Sequence, residues 1–365
     1  FARRGPREEI RLVRDGDRVL AGLTLIPMGQ FWGGRSVSHM GIGGVVVYPE
    51  ARGAGVGKHV MRAAVDESAR RGFAMAGLFP ATWPVYRSAG FEVAGGRWKA
   101  RLRTREIQTE RRDESVPSVR LMSSGEKALV KRAYARWAPR APGHMARTDY
   151  IWEHKVFRFH KATQRVYLIE GEEGGDGVDG YVALRTEWSD ELKGTIAIVS
   201  DMVALTPRAA RGLWAFLQGH WSIVAGMEWN CGPTHPMLGA LRDRTFEMSL
   251  VEHWMVRLVD VKASLEARGY SPGVAGRVTV EVYGDWIESN NGVWSIEVRD
   301  GGATLASVSG PGEVRAHVRA LASVFAGYAT PAHALLDGLV EGDDAAIARL
   351  CAMFAGPTPW MSEIY

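Results

Sequence analysis

Hydrophobic positions recur along this chain with two periods, and the switches between them divide it into units. Val45-Val46-Val47 is a β-branched run that breaks at Pro49, reopens as the glycine-rich turn of GGVVVYPEARGAGVGK, and gives way at Val56 to a spacing of four. Val56, Val60, Ala64 and Ser68 then share one face, as an amphipathic helix requires, until Gly72 ends it. A strand over Glu8–Val13 precedes this unit, and a buried strand over Phe73–Phe79 follows it. After Val116 the same order returns: a helix around Glu126–Trp137, strands at Arg165–Glu170, Tyr181–Glu187 and Thr195–Ala204, a helix over Pro207–Gly219, then strands at Ile223–Trp229 and Leu250–Leu258. Beyond a short helix, Val261–Arg268, the pattern becomes a meander. Strands at Arg277–Tyr283, Val293–Val298 and Ala303–Val308 are joined by turns at Asn290-Asn291-Gly292 and Asp300-Gly301-Gly302, and helices follow over Gly312–Phe325, Pro331–Val340 and Asp343–Phe354, with Asp343 as N-cap.

The turn after Val47 carries chemistry. Successive backbone N–H groups and the positive end of the helix converge in front of Val56, a seat for an anion. A P-loop is excluded, because Arg52 stands where its first Gly belongs and His59 where Ser or Thr belongs; a dinucleotide fingerprint fails at Lys58 or Val60. What remains, Arg52, Gly55 and Gly57 as R-x-x-G-x-G, resembles motif A of the GNAT acyltransferases, with a bare glycine turn capping a helix as the alternative. Further on, Tyr86 with Gly90-Phe91 is similar to the Tyr and Gly-aromatic pair that follow in that class. In the second unit the corresponding stretch, ALTPRAARGLW, has no second Gly, so the cradle is absent there. His235, before a Pro in a turn, reads as structural with a catalytic option.

Composition narrows the picture. The 365 residues suggest two or three domains, with no apolar run near the length of a membrane span and no visible signal peptide, which points to the cytoplasm without excluding secretion. Cys231 and Cys351 match no metal or redox spacing, so no metal is expected. A net charge of +4 and a pI near 9.1 raise the question of nucleic acid. Arg97, Lys99, Arg101, Arg103 and Arg105 alternate along one strand, however, and no nucleic-acid module accompanies them, which favours a solvated or subunit-facing strand. Residues 106–116 then lose periodicity and read as a linker. The last residues, P-T-P-W-M-S-E-I-Y, are too apolar for a free tail, so Trp360, Met361, Ile364 and Tyr365 should bury and draw the terminal carboxylate inside.

Taken with PVYRSAGF, THPMLGALRD, LEARGY and the aromatic last residue, the whole arrangement resembles the enhanced intracellular survival family of acetyltransferases. The resemblance implies an α+β or α/β fold: two GNAT-like mixed-sheet domains at 1–116 and 117–259, the first incomplete at its start, and a sterol-carrier-protein-like domain at 260–365 whose C-terminus enters the active site. It implies acetyl-CoA held by Val45, Val46, Val47, Arg52, Gly53, Gly55, Val56 and Gly57, with Tyr86 as general acid and the carboxylate of Tyr365 as general base. It implies a primary-amine acceptor, whether aminoglycoside, polyamine or lysine side chain, and a homo-oligomer, a hexamer by resemblance. Phe31, Trp32 and Trp83 are candidates for an apolar acceptor wall, and Glu363 for a charge that attracts amines. The competing reading is a lipid-binding protein whose last domain carries the ligand while the GNAT halves are scaffold.

Overall fold

The structure, a computed structural model, describes residues 9–108, 117–157, 164–171 and 177–365. The first half comprises β1 (Ile10–Asp15), β2 (Arg18–Trp32), β3 (Arg35–Val47), α1 (Val56–Arg70), β4 (Met75–Leu78), α2 (Trp83–Arg87) and β5 (Glu92–Arg103). The second comprises β6 (Val119–Leu121), α3 (Lys127–Trp137), β7 (Met145–Ala146), α4 (Asp149–Ile151), β8 (Arg165–Glu170), β9 (Val178–Ser189), β10 (Gly194–Ala204), α5 (Pro207–Gln218), β11 (Gly226–Cys231), α6 (Pro236–Gly239) and β12 (Phe246–Leu258). Of the expected linker 106–116, residues 109–116 lie outside the described residues.

The halves share one sheet and exchange their last strands. The order runs β1-β2-β3-β4-β12-β5-β11-β10-β9-β8-β6, so β12 of the second half pairs with β4 of the first, and β5 of the first pairs with β11 of the second. The expected solvated basic face holds in part, with Arg101, Arg103 and Arg105 exposed and Arg97 and Lys99 half-buried, but the strand is internal to the sheet. β5 lies in the middle of the sheet, where Arg97 meets Glu252 at 2.5 Å, Lys99 meets Glu228 at 2.6 Å and Arg101 meets Glu228 at 2.9 Å, the acids coming from β12 and β11. Alternation still puts these charges on one face; the neighbouring strands supply the opposite charge.

The third unit adds α7 (Val261–Ala267), β13 (Gly276–Tyr283), β14 (Gly292–Arg299), β15 (Gly302–Ser307), β16 (Val314–His317), α8 (Val318–Ala326), α9 (Pro331–Leu336), β17 (Val340–Gly342) and α10 (Asp344–Met353). Its sheet runs β15-β14-β13-β16-β17. The helix expected over Gly312–Phe325 is in its first part the strand β16, whose Val314 and Ala316 are buried while Arg315 and His317 are half-buried; only α8, apolar on nearly all sides, is helical. Likewise the helix expected to Val340 stops at Leu336, and Val340 opens a strand paired with β16. The turn at Asp300-Gly301, both at positive φ, does join β14 to β15. Residues 284–291, by contrast, form a longer connection gathered by the Asn290 side chain, which donates to Val259 and Asp285 and accepts from the Val261 N–H. Asp343 caps α10 by accepting from the N–H groups of Ala345 and Ala346. The unit packs on the first half through a core that includes Trp32, Trp254 and Phe325, on the sheet face opposite α1.

Candidate active site

β3 and β4 run parallel only from His39–Met75 to Gly41–Gly77 and then part, leaving a wedge beside the rest of β3. Along that free stretch Gly44 has φ of +60° at an irregularity opposite β2, Val45 and Val47 are half-buried, and Val46 is exposed. The turn that follows has Gly53 and Gly55 at φ of +80° and +76°, conformations that favour glycine, and a Cβ at either would meet nothing within 4 Å. Gly55 is the N-cap of the 15-residue α1, with no side chain capping the helix and no acidic residue in its first turn. Arg52 is exposed beside it. An uncapped helix terminus behind an open glycine turn fits a pyrophosphate, whose oxygens would accept from these N–H groups. In the second half the equivalent α5 is closed on itself: Thr206 accepts from the Ala209 N–H and Pro207 occupies the first turn. The contrast leaves an open, uncapped helix terminus in the first half and a capped one in the second.

Tyr86 lies on α2, buried against the face of the sheet that carries α1. Burial raises its phenol above the usual value, partly offset by the Ala81 N–H, so the hydroxyl is protonated at neutral pH. The helix is braced by Arg87, which donates to Glu92 at 2.7 Å, and Glu92 in turn accepts from Arg319 of α8 at 3.0 Å. Gly90, at φ of +80°, lets the Arg257 guanidinium pass against the backbone where a Cβ could not fit.

The C-terminal segment threads between the halves along a track of glycines. A methyl built on Gly95 would stand 2.6 Å from the Pro359 carbonyl, and one on Gly143 2.8 Å from that of Trp360; Gly232 likewise makes room for the Trp360 ring. Trp360 forms a parallel bridge with Gly96 of β5. The chain then lays its last residue across the end of the β3–β4 pairing. The ring of Tyr365 lies edge-on to Phe79 at 5.7 Å and over Gly41, and its hydroxyl is 3.2 Å from His39 Nε2. Its carboxyl carbon would be 2.9 Å from a methyl on Gly43. His39 is fully buried, which lowers it to about 3 and leaves it neutral.

The structure places Val45–Val47, the glycine turn and Tyr86 in the first half and lays Tyr365 on its β3, with Tyr86 in the core on the α1 face and the Tyr365 ring against the core on the other face. The remaining candidates belong to other surroundings. Trp32 is fully buried in the core against Trp254 and Phe325, so the expectation that it lines an acceptor wall is corrected. Phe31 packs against the core of the second half and bonds through its backbone to Gly143 and His144. Trp83 is exposed on α2, with Arg87 over its ring and His253 against its edge. Glu363 is no open charge for an amine, because it is buried and paired with Arg147 at 2.5 Å. Ile364, expected inside, is 45% exposed. His235 is a capping residue: its Nδ1 accepts from the Met237 N–H, and its ring packs against Trp229. Sequence reasoning missed His39, Arg147 and the glycine slot at Gly41 and Gly77. The only local signal was glycine within strands, which marks a close approach. Among the described residues no three His, Cys, Asp or Glu side chains form a metal cluster, and no helix is long and apolar enough to cross a membrane.

Comparison with known proteins matches residues 1–94 and 143–258 to acetyltransferase (GNAT) domain families and residues 261–362 to a sterol carrier protein domain. An uncharacterized N-acetyltransferase of Streptomyces griseus is 26% identical over 350 aligned positions, covering 91% of this chain and 83% of that one. N-acetyltransferase Eis of Mycobacterium bovis is 28% identical over 255 positions, 66% of this chain and 58% of that one. The crystal structure of a GCN5-related N-acetyltransferase from Anabaena variabilis superposes with a TM-score of 0.89 at 27% identity, over 98% of this chain and 90% of that one. Two GNAT domains in one exchanged sheet, with a sterol carrier protein domain packed against them, make this chain an Eis-like acyltransferase of the GNAT class.

Proposed function

We propose that the first half moves an acetyl group from acetyl-CoA to a primary amine, with the carboxylate of Tyr365 as general base and Tyr86 as general acid. Acetyl-CoA supplies an activated thioester carbonyl. The N–H groups of Val56 and Gly57, with Arg52 beside them, hold its pyrophosphate, and Gly53 and Gly55 let it approach the backbone. An alkyl ammonium of pKa about 10 must lose a proton before it can attack, and the Tyr365 carboxylate takes that proton through water. The backbone N–H of Val46 or Val47, on the stretch of β3 that β4 has left, donates to the oxyanion as the new C–N bond forms. As the C–S bond breaks, Tyr86 gives its hydroxyl proton to the leaving sulfur, and the second proton that the acylated nitrogen sheds restores the phenol.

The observation that carries this reading is the seat of the Tyr365 carboxyl against Gly43, just past the last β3–β4 pair and on the strand that leads into the glycine turn. A carboxylate held by chain length is sensitive to chain length. Extending the chain beyond Tyr365 by a short tag, or amidating it, abolishes turnover while acetyl-CoA binding, read by calorimetry, persists. A tagged protein that melts normally, binds acetyl-CoA and acetylates amines at the full rate removes Tyr365 from the mechanism. The acceptor class is read from a panel of aminoglycosides, polyamines and lysine peptides, followed by thiol release.

A further inference from the structure

We propose that Arg147, in the half without a cofactor cradle, is a positioning residue for the catalytic carboxylate: with Asp201 it clamps Glu363 and so sets where Tyr365 ends. The proposal rests on the reading of Tyr365 as base and adds what holds that base in place.

Arg147 is buried, with its side chain 1% exposed, and so are the two carboxylates it bridges, Glu363 at 1% and Asp201 at 4%. Its Nε donates to Glu363 Oε1 at 2.5 Å, while Nη1 and Nη2 reach both oxygens of Asp201 at 2.5 and 3.2 Å. Tyr181 donates its hydroxyl to Asp201 at 2.5 Å, and the guanidinium lies over the rings of Tyr134 at 3.7 Å and Trp152 at 4.8 Å. Every one of these groups except Glu363 belongs to the second half: Tyr134 to α3, Tyr181 to β9, Asp201 to β10, and Trp152 to the π-helical stretch Trp152–Phe157 that continues α4. Burial alone would push Glu363 up, but Arg147, with His144 and Lys155 nearby, outweighs it and holds the carboxyl down at about 2, so the pair is ionic at any working pH.

A buried ion pair adds little net stability compared with apolar packing of the same volume, because desolvation offsets the attraction. What a planar guanidinium held bidentately by Asp201 adds is a fixed direction for its Nε, the one donor that meets Glu363. Here that geometry is imposed two residues before the end of the chain, about 7 Å of extended backbone from the reacting carboxylate. The intervening Ile364 is half exposed and holds little. Upstream, Trp360 and Met361 are buried, so the last residues are tied at Trp360, at Glu363 and at the Tyr365 slot. Trp360 already joins Gly96 of the first half to Gly143 and Gly232 of the second, and Glu363 is the tie to the second half that lies nearest the reacting end.

The test uses N-terminally tagged full-length protein and two variants, each read for release of Tyr365 by carboxypeptidase, for acetyl-CoA affinity and for steady-state kinetics. Glu363→Gln leaves Arg147 paired with Asp201, so the buried cation keeps a partner and the fold persists. Arg147→Met removes the clamp itself. In both, Tyr365 is released about tenfold faster or more, and kcat falls about tenfold or more, while acetyl-CoA affinity stays within about threefold, a split that loss of fold would not produce. If Arg147→Met fails to fold by circular dichroism, Glu363→Gln decides. Release as slow as in the parent protein together with unchanged kcat overturns the positioning role and leaves the base assignment standing. Faster release with unchanged kcat overturns the base assignment and, with it, this role for Arg147.

Discussion

At the scale of single residues, the proposed chemistry separates into binding and turnover. Gly55 stands at φ of +76° with nothing within 4 Å of a Cβ there, so the main cost of Gly55→Val in the free protein is backbone strain of about 1–3 kcal/mol. Its expected effect is on the ligand: the KM for acetyl-CoA rises about tenfold or more as the methyls block the pyrophosphate, and an unchanged KM would dismiss the turn as a binding element. Tyr86→Phe acts on the other step. Removing the proton donor lowers kcat by about 10²–10⁴ with acetyl-CoA affinity little changed, and turnover within about twofold of the parent would leave Tyr86 a packing residue. Both positions were legible in the sequence because each belongs to a short motif whose geometry is local. His39 was not: nothing near it in sequence announces that it will sit fully buried with Nε2 beside the hydroxyl of a residue 326 positions away.

Elements carry the next level. The seat of Tyr365 works because Gly41 and Gly77, the last paired residues of β3 and β4, and Gly43 just beyond them leave out three side chains where the last residue lies. Gly43→Ala puts a methyl 2.9 Å from the Tyr365 carboxyl carbon and 3.3 Å from its oxygen, closer than either can remain. The tail must shift, so kcat drops by about tenfold to a hundredfold at constant acetyl-CoA affinity; full activity in this variant would show that the carboxyl seat is irrelevant to turnover. α10 offers a test of stability alone, since Asp343 accepts from two N–H groups at its start; Asp343→Ala should lower stability by about 1 kcal/mol in denaturant titration without touching kinetics. Strand and helix periods predicted most elements, yet Gly312–Phe325 was read as one helix. A four-residue strand running straight into a fully buried helix has too few positions to show its own period.

The whole molecule responds to pH through groups that burial has shifted. His39 and His144 are both lowered by burial to about 3, the latter pinched between the rings of Trp137 and Trp360 at 4.3 Å each. Their unfolded forms take up protons below about pH 6.5 while the folded forms do not, so the unfolded state binds more protons and stability falls as pH drops from about 6.5 toward 3. Each histidine adds a slope of up to about 1.4 kcal/mol per pH unit in that window, and Glu363, held at about 2, adds to the loss below about pH 4.5. Melting His39→Leu and His144→Leu against pH should flatten the curve by about one proton each; an unchanged slope would mean that these imidazoles titrate normally. The sequence by itself determined what depends on neighbours in the chain: the glycine turn and its helix, the missing cradle in the second half, the order of three units and the apolar end. Only the tertiary structure decided which strand lies beside which, and so where that end goes. An alternating strand such as β5 satisfies its pattern beside any partner, and β11 and β12 were chosen by pairing between distant segments. Arg147 and Glu363, 216 residues apart, become one ion pair only after the halves have exchanged strands and the tail has entered the groove, because a charge pair in a dry interior is defined by its surroundings and not by its spacing.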